Sequence, residues 1–296
     1  MTQTKISAKD VAELRARTAA GMMDCKRALE EAGGDMSRAA ELLRSKGIAK
    51  AEKRTGRSTS QGLVVGRLTA DAGEGAILEL TSETDFVART EEFGAVATAL
   101  LRQLADSPPM SLEEFLSQQA AGTTGETVAD RVKQTSAKTG EMVAVKDAVK
   151  YAPGATGTVG LYLHHNQQVG VLIELASETE EAARSETVRE LARELALHVA
   201  SANPLAVLAE DIPAEVIQRE RRIAEEQAAE SGKPEAVRGK IVEGKVKKFI
   251  AEQVLVDQGW VKDDKKPIHS LMADAAKTVG TTVSVVRFVR LQVGES

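Results

Sequence analysis

Few residues in this 296-residue chain have the types and spacing that catalysis requires. The sequence contains no G-x-x-x-x-G-K-[ST] phosphate loop, G-x-G-x-x-G turn, G-x-S-x-G elbow or H-E-x-x-H motif. His164 and His165 are adjacent, so on a strand their side chains would face opposite sides and could not grip one metal. We interpret them as polar residues beside a hairpin turn. The sequence therefore predicts a protein that is not an enzyme and has neither a metal site nor a cofactor.

Composition excludes further classes. The single cysteine rules out an intramolecular disulfide and a cysteine-rich zinc site, and Cys25 fits a buried structural thiol better than a nucleophile. The net charge of −5 argues against direct nucleic-acid binding, because phosphate neutralisation needs excess Lys and Arg. No apolar run approaches the ~20 residues that span a bilayer, and no secretory signal opens the sequence. We therefore expect a cytoplasmic protein that does not contact membranes.

Two motifs remain that could contact a partner. The first is RTAAGMMDCK (17–26), a helix–helix turn in which Gly21 supplies backbone freedom and Asp24 can cap the next helix. Adjacent methionines cannot both point the same way, so at least one of Met22 and Met23 could be exposed as an adaptable contact. Packing of both inside the turn is the open alternative.

The second motif is TDFVAR (84–89), at the start of a predicted helix that Ser82 and Asp85 could cap as a capping box. A shift of 95 residues aligns LELTSETDFVAR (78–89) with IELASETEEAAR (173–184) at seven of twelve positions, and places Glu181 opposite Phe86. A core position would rarely accept Glu without a partner. We therefore predict that Phe86 is exposed and contacts another macromolecule.

The elements that position these motifs begin with a three-helix module at residues 1–48. Its predicted helices are Ala8–Arg17 with Ser7 as cap, then 24–32, then 37–45 with a stop at Gly47. Residues 49–62 (AKAEKRTGRSTSQG) have almost no large apolar side chains and are predicted to be a linker. The front of the chain is basic and the rest acidic, which favours a separate module.

After the linker, the repeat indicates a duplicated core in an α+β fold. Residues 63–155 form the first half, 156–208 begin the second and 257–296 complete it. Each half opens with a β-hairpin and a helix, which in the first half spans 84–104. Residues 209–256 are predicted to be an inserted antiparallel helical hairpin of coiled-coil type, with helices at 214–230 and 235–255 around a turn at 231–234. Its apolar positions include Val216, Ile223, Val242 and Val246.

At both motifs the chain resembles the bacterial elongation factor Ts family. The segment LRARTAAGMMDCKRALEEAGGD resembles the family's N-terminal signature, TDFVAR its second, and VEGKVKKFIAEQVL (242–255) is similar too. The order of parts also agrees, so the resemblance covers essentially the whole chain. Ala19 stands where the family usually has Gly, and His165 and Gln167 replace Gly-rich hairpin residues.

The resemblance implies a guanine-nucleotide exchange factor for elongation factor Tu that acts in translation elongation on its GDP-bound and nucleotide-free forms. In the family's mechanism an Asp and a Phe insert into the partner's G domain and disturb its magnesium and phosphate site. Carried over, that site corresponds to Thr84, Asp85, Phe86 and Val87. Module contacts correspond to Leu14, Arg15, Met22 and Met23, and a contact of the second core half to His164. A homodimer, or a heterotetramer with the partner, is possible.

The front module also looks like a ubiquitin-associated (UBA-like) three-helix domain. The alternative function is therefore an adaptor or scaffold without exchange activity. A small-molecule enzyme is the weakest candidate, since the sequence shows no constellation of acid, base or metal ligands.

Overall fold

The computed structural model describes residues 6–18, 20–52, 54, 56–230 and 233–295, except for the side chains of residues 48, 50 and 52. Contacts divide the chain into one unit of Met1–Val65, Leu78–Ala148 and Gln292–Ser296 and another of Gly66–Ile77 and Val149–Leu291. The fold is α+β with an N-terminal helical module, as the sequence predicts. The elements are α1 (Ala8–Thr18), α2 (Met22–Glu31), α3 (Met36–Glu52), β1 (Gln61–Leu68), β2 (Gly75–Ser82), α4 (Asp85–Ala88), α5 (Glu91–Asp106), α6 (Leu112–Ser117), α7 (Val128–Thr139), β3 (Val143–Tyr151), β4 (Gly157–Leu163), β5 (Val169–Ser177), α8 (Glu180–Arg184), α9 (Glu186–Ala202), α10 (Ala214–Glu230), α11 (Glu235–Gln253), β6 (Gly259–Trp260), β7 (Asp263–Pro267), α12 (Ile268–Val279) and β8 (Val283–Gln292).

Helices α1 to α3 pack around a small apolar core that includes Leu14, Cys25 and Leu29, all fully buried. The predicted burial of the Cys25 thiol is therefore confirmed. Ser7 caps α1 as predicted, because its Oγ accepts the backbone N–H of Asp10 at 3.1 Å. The predicted cap at Asp24 is wrong: Gly21 is the N-cap of α2, and Asp24 pairs with a side chain of its own helix.

The third helix does not stop at Gly47. It continues to Glu52, so the first residues of the predicted linker are helical. An ideal Cβ built on Gly47 would lie 3.0 Å from the Cβ of Ala137 on α7. Gly47 therefore serves the close approach of α3 to α7 rather than helix termination. The Arg54 side chain then donates to the carbonyl of Ser136 at 3.3 Å, which ties the end of this segment to α7.

Strands β1, β2 and β3 form a three-stranded sheet in that order. The single helix predicted for 84–104 is instead two helices, α4 and α5. Each has its own cap: Thr84 Oγ1 accepts the N–H of Val87 and Thr90 Oγ1 accepts the N–H of Phe93. The predicted capping box at Ser82 is wrong, because Ser82 Oγ donates to the Thr84 carbonyl at 2.9 Å. Arg89 is the C-cap of α4, and a new N-cap at Thr90 starts α5.

The second half repeats this order of elements. Strands β4 and β5 pair antiparallel, with β8 beside β5 in a sheet ordered β4-β5-β8. Helices α8 and α9 follow with caps at Thr179 and Ser185. The repeat extends further than sequence comparison shows. Gly140 after α7 and Gly280 after α12 both end their helices in the left-handed region, with φ of 78° and 75°, and the third strand of each half follows. Here the shift is 140 residues because the helical hairpin intervenes.

That hairpin consists of α10 and α11, packed around Ala224, Ala228, Val242 and Val246. Val242 and Val246, two of the apolar positions noted in the sequence, are buried. Ile223, another of these apolar positions, is 40% exposed. The seam on α10 passes through alanines, whose small side chains let the two helices approach closely. Residues 231 and 232 of the predicted turn lie outside the described residues. The antiparallel pair β6–β7 was not predicted.

Two buried glutamates occupy the same repeat position but have different partners. The Glu174 carboxylate accepts from Arg287 Nε at 2.9 Å and Nη2 at 2.8 Å. The 140-residue shift places Asp147 at the position of Arg287. Burial raises the pKa of the Glu79 carboxyl; Lys146 opposes this, while Asp147 reinforces it.

We therefore expect Glu174→Gln and Glu79→Gln to have different effects on the free energy of unfolding. Glu174→Gln should lower the free energy of unfolding by about 1–2 kcal/mol, because it weakens charge-assisted hydrogen bonds to Arg287. Glu79→Gln should be neutral or stabilising at pH 7, since it removes a buried charge beside another carboxylate. Urea unfolding of both variants at pH 7 measures the difference. Equal destabilisation would contradict the assignment.

His198 on α9 is a buried histidine held in its neutral form. Its Nδ1 accepts the backbone N–H of Val261 at 3.3 Å, which leaves Nε2–H to donate to Gln258 Oε1 at 2.9 Å. Burial lowers the pKa of His198 below its ordinary 6.5, although the bond to Gln258 opposes the shift. The unfolded chain therefore binds this proton more readily than the folded chain.

His198 should make the protein less stable in mild acid. Its contribution is complete above pH 6.5 and is lost as pH falls toward the lower folded-state pKa. Urea unfolding of the wild type at pH 7.5 and 5.5 should show this loss, and His198→Gln should reduce it. His165→Gln, at an exposed histidine, is the matched control and should keep the wild-type difference. An unchanged pH response in His198→Gln would contradict the prediction.

Candidate partner-binding surface

The one-turn helix α4 presents Phe86 to solvent. The Phe86 side chain is 83% exposed, while Ala88 on the same turn is buried. The exposure predicted from its repeat mate Glu181 is thus confirmed. Thr84 and Val87 flank it, both half-buried and joined by the 3.4 Å cap hydrogen bond from Val87 N–H to Thr84 Oγ1. An isolated exposed Phe on an ordered turn suits insertion into another macromolecule.

Asp85 lies next to Phe86 in the first turn of α4, where the backbone N–H groups favour a carboxylate. Its Oδ2 is 3.2 Å from Arg89 Nη2, and both side chains are substantially exposed. Such an ion pair contributes little to stability in water. The Asp85 carboxylate is therefore accessible to a partner beside the Phe86 ring.

Residues on two segments far apart in sequence hold this turn. We call the group of Glu83, Thr84, Glu141 and Met142 the carboxylate clasp. Thr84 donates to Glu141 twice, from N–H to Oε2 at 3.0 Å and from Oγ1 to Oε1 at 2.6 Å. In return Met142 N–H donates to Glu83 Oε1 at 2.7 Å. That backbone bond, joined by Arg57, holds the pKa of the Glu83 carboxyl below its ordinary value. Sequence reasoning missed Glu141, which lies 57 residues from Thr84.

The N-terminal module has a second exposed apolar site. Met22 is 56% exposed and Met23 63% exposed, so the start of α2 presents both side chains rather than packing them inside. Arg15 is exposed on α1 and, with Met22, lines a shallow depression of about 420 Å³. Leu14 is fully buried in the module core. Its side chain can support this surface but reaches no partner while the module is folded.

His164 belongs to the other unit and follows β4 directly. The Tyr162 hydroxyl lies 2.9 Å from His164 Nδ1, and the His164 and His165 rings are 4.2 Å apart. The expectation that these two rings face opposite sides is wrong, because both residues lie in the turn rather than on the strand. Their interpretation as polar turn residues is confirmed.

Within the described ranges, no group of three or more His, Cys, Asp or Glu side chains could hold a metal ion. None of the helices in that part of the chain is both long enough and apolar enough to cross a bilayer. Ala19, where the sequence departs from the family pattern, is not among the described residues.

Comparison with known proteins gives a consistent result. The profile of the family described as Elongation factor TS matches residues 83–295. The elongation factor Ts of Symbiobacterium thermophilum is 43% identical over 291 residues, which cover 98% of this chain and 93% of that protein. Those of Lawsonia intracellularis and Alkalilimnicola ehrlichii are 40% and 42% identical, again over 98% of this chain and over 99% and 92% of the relatives. The chain therefore belongs to the elongation factor Ts family of translation elongation factors.

Proposed function

We propose that the protein binds elongation factor Tu·GDP in the cytoplasm and promotes GDP release, which allows GTP to load. The observation that carries this proposal is the Phe86 side chain, exposed beside the Asp85 carboxylate on a turn that the carboxylate clasp holds. Membership of the elongation factor Ts family supports elongation factor Tu as the partner. The protein is a binding factor that makes and breaks no covalent bond in the nucleotide.

The energetics follow from linkage. A factor that binds the nucleotide-free partner more tightly than the GDP-bound partner must weaken GDP binding by the same ratio. Insertion of Phe86 between partner helices would supply binding energy that only a displaced nucleotide site can accept. The Asp85 carboxylate would perturb the partner's Mg²⁺ shell, since the ion is the largest local charge there. Thr84 and Val87 shape the turn that carries both side chains.

The remaining surfaces would hold the partner in place. Met22 and Met23 offer adaptable apolar contact area, and Arg15 adds a charge at the edge of the same depression. Leu14 supports them from the module core. His164 would add a contact from the second core half. These sites supply affinity, whereas Asp85 and Phe86 act on the nucleotide site itself.

The test is release of a fluorescent GDP analogue from elongation factor Tu. Release should accelerate in proportion to the added protein and saturate at micromolar concentrations. A complex that forms without acceleration would favour the adaptor function instead. Sedimentation of the complex with nucleotide-free partner would show whether it contains one or two copies of each chain.

A further inference from the structure

Helix α4 cannot hold its own conformation. It has four residues, whereas isolated helices shorter than roughly 12–15 residues are marginal in water. Its largest side chain is Phe86, and an 83% exposed ring contributes little packing to the free protein. Contacts from outside the turn must therefore keep it ordered before a partner arrives.

Glu141 supplies such contacts. Both of its carboxylate oxygens are engaged, one by Thr84 N–H and the other by Thr84 Oγ1. The same hydroxyl oxygen accepts Val87 N–H through one of its lone pairs, since the bond to Glu141 uses only its hydrogen. A continuous path thus runs from Glu141 through Thr84 to Val87, the residue after Phe86. Glu141 is half-buried, which protects these bonds from water.

The second half of the molecule provides an internal comparison. By the 140-residue shift, Thr281 occupies the position of Glu141, and its hydroxyl donates to Glu178 at 2.8 Å. No carboxylate at that position can accept from Thr179, the counterpart of Thr84. Glu178 keeps the role of Glu83, since it binds the segment that precedes the third strand. The contact of Glu141 with the cap is therefore particular to the half that carries Phe86 instead of Glu181.

We propose that Glu141 is a positioning residue that fixes the α4 turn so that Phe86 meets the partner already ordered. The inference rests on the proposed function of Phe86. Without the carboxylate of Glu141 the turn would sample other backbone conformations, and binding would have to restore the order. Because binding must then fix the backbone of this turn again, the expected penalty is about tenfold in affinity.

A double-mutant cycle of Glu141→Ala and Phe86→Ala tests this. The measured quantity is the Kd for nucleotide-free elongation factor Tu, because the Met22 and Met23 contacts keep it measurable without Phe86. Glu141→Ala should weaken binding about tenfold when Phe86 is present and less than twofold in the Phe86→Ala background. A purely structural loss would weaken binding by the same factor in both backgrounds.

Two further variants complete the experiment. In Glu141→Gln, the amide oxygen can accept Thr84 N–H and the amide N–H can donate to Thr84 Oγ1, so most of the affinity should return. Thr281→Ala removes the corresponding hydroxyl bond in the other half, and should leave the Kd unchanged. If Glu141→Ala fails to fold, Glu141→Asp, one methylene too short to reach both Thr84 atoms, replaces it in the cycle.

Faster amide hydrogen exchange in Glu141→Ala at Val87 and Ala88, whose N–H groups both donate to Thr84, would support the inference independently. It is overturned if the Kd of Glu141→Ala is unchanged, or if its effect is equal with and without Phe86. A wild-type protein that binds elongation factor Tu without accelerating GDP release would refute the proposed function alone. The double-mutant cycle would still test Glu141, because it measures the Kd and not GDP release. A wild-type protein that does not bind would overturn both.

Discussion

Phe86→Ala should slow stimulated GDP release roughly 30- to 150-fold at saturating factor, with little change in the stability of the protein. Burying a large aromatic side chain contributes about 2–3 kcal/mol, and here that energy would be realised only when the partner's nucleotide site is displaced. Since the ring is 83% exposed in the free protein, the free energy of unfolding should stay within about 0.5 kcal/mol of wild type. Stopped-flow release of labelled GDP and urea unfolding measure the two quantities.

Met110→Ala is the matched control, because Met110 is a large apolar side chain of the same unit and is 95% exposed. It should change neither GDP release nor stability. A loss of more than about 2 kcal/mol of stability in Phe86→Ala would show that the ring packs in the core. Normal release by a stable Phe86→Ala variant would remove this residue from the mechanism.

The exposure of Phe86 could be predicted because the duplication supplied an internal test. Equivalent positions in the two halves have similar surroundings. Glu181 at the second position is incompatible with an apolar core, so Phe86 at the first position is expected to be exposed. Burial of Cys25 and the bounds of α10 were also predictable, since local apolar periodicity determines both. These last two features depend on residues within a few turns of one another.

The features that sequence analysis missed depend on contacts between distant segments. The local sequence predicts that the helix stops at Gly47. In the folded chain the helix continues past Gly47, which packs against Ala137 on α7. Ser82 and Asp85 match the capping-box pattern in the sequence, and only the folded chain shows that Thr84 is the cap and meets Glu141 across 57 residues. The extension of the repeat to β3 and β8 was hidden for a similar reason. The inserted hairpin changes the shift from 95 to 140 residues, so a comparison at the fixed shift of 95 does not align β3 with β8.

Met22→Ala/Met23→Ala should weaken affinity for nucleotide-free elongation factor Tu roughly 30- to 150-fold while leaving GDP release at saturating factor within about threefold of wild type. Each side chain is more than half exposed, and burial of their apolar surface in a complex can contribute about 2–3 kcal/mol of binding free energy. Phe86 stays intact, so the saturated rate is preserved. Titration of the release rate against the concentration of the factor measures the affinity and the saturated rate separately. The opposite pattern is expected for Phe86→Ala, which should lower the saturated rate.

The double substitution is a sharper test of this surface than truncation of the module. Removal of residues 1–48 would cut α3 within its span and uncover α7, against which Gly47 packs. Integrity of the substituted module can be followed through Cys25, the only cysteine of the chain and fully buried. Its reaction with a thiol reagent should be as slow in Met22→Ala/Met23→Ala as in wild type. Slow labelling with wild-type affinity would exclude the methionines from the interface, because the module would then be folded and its contact surface dispensable.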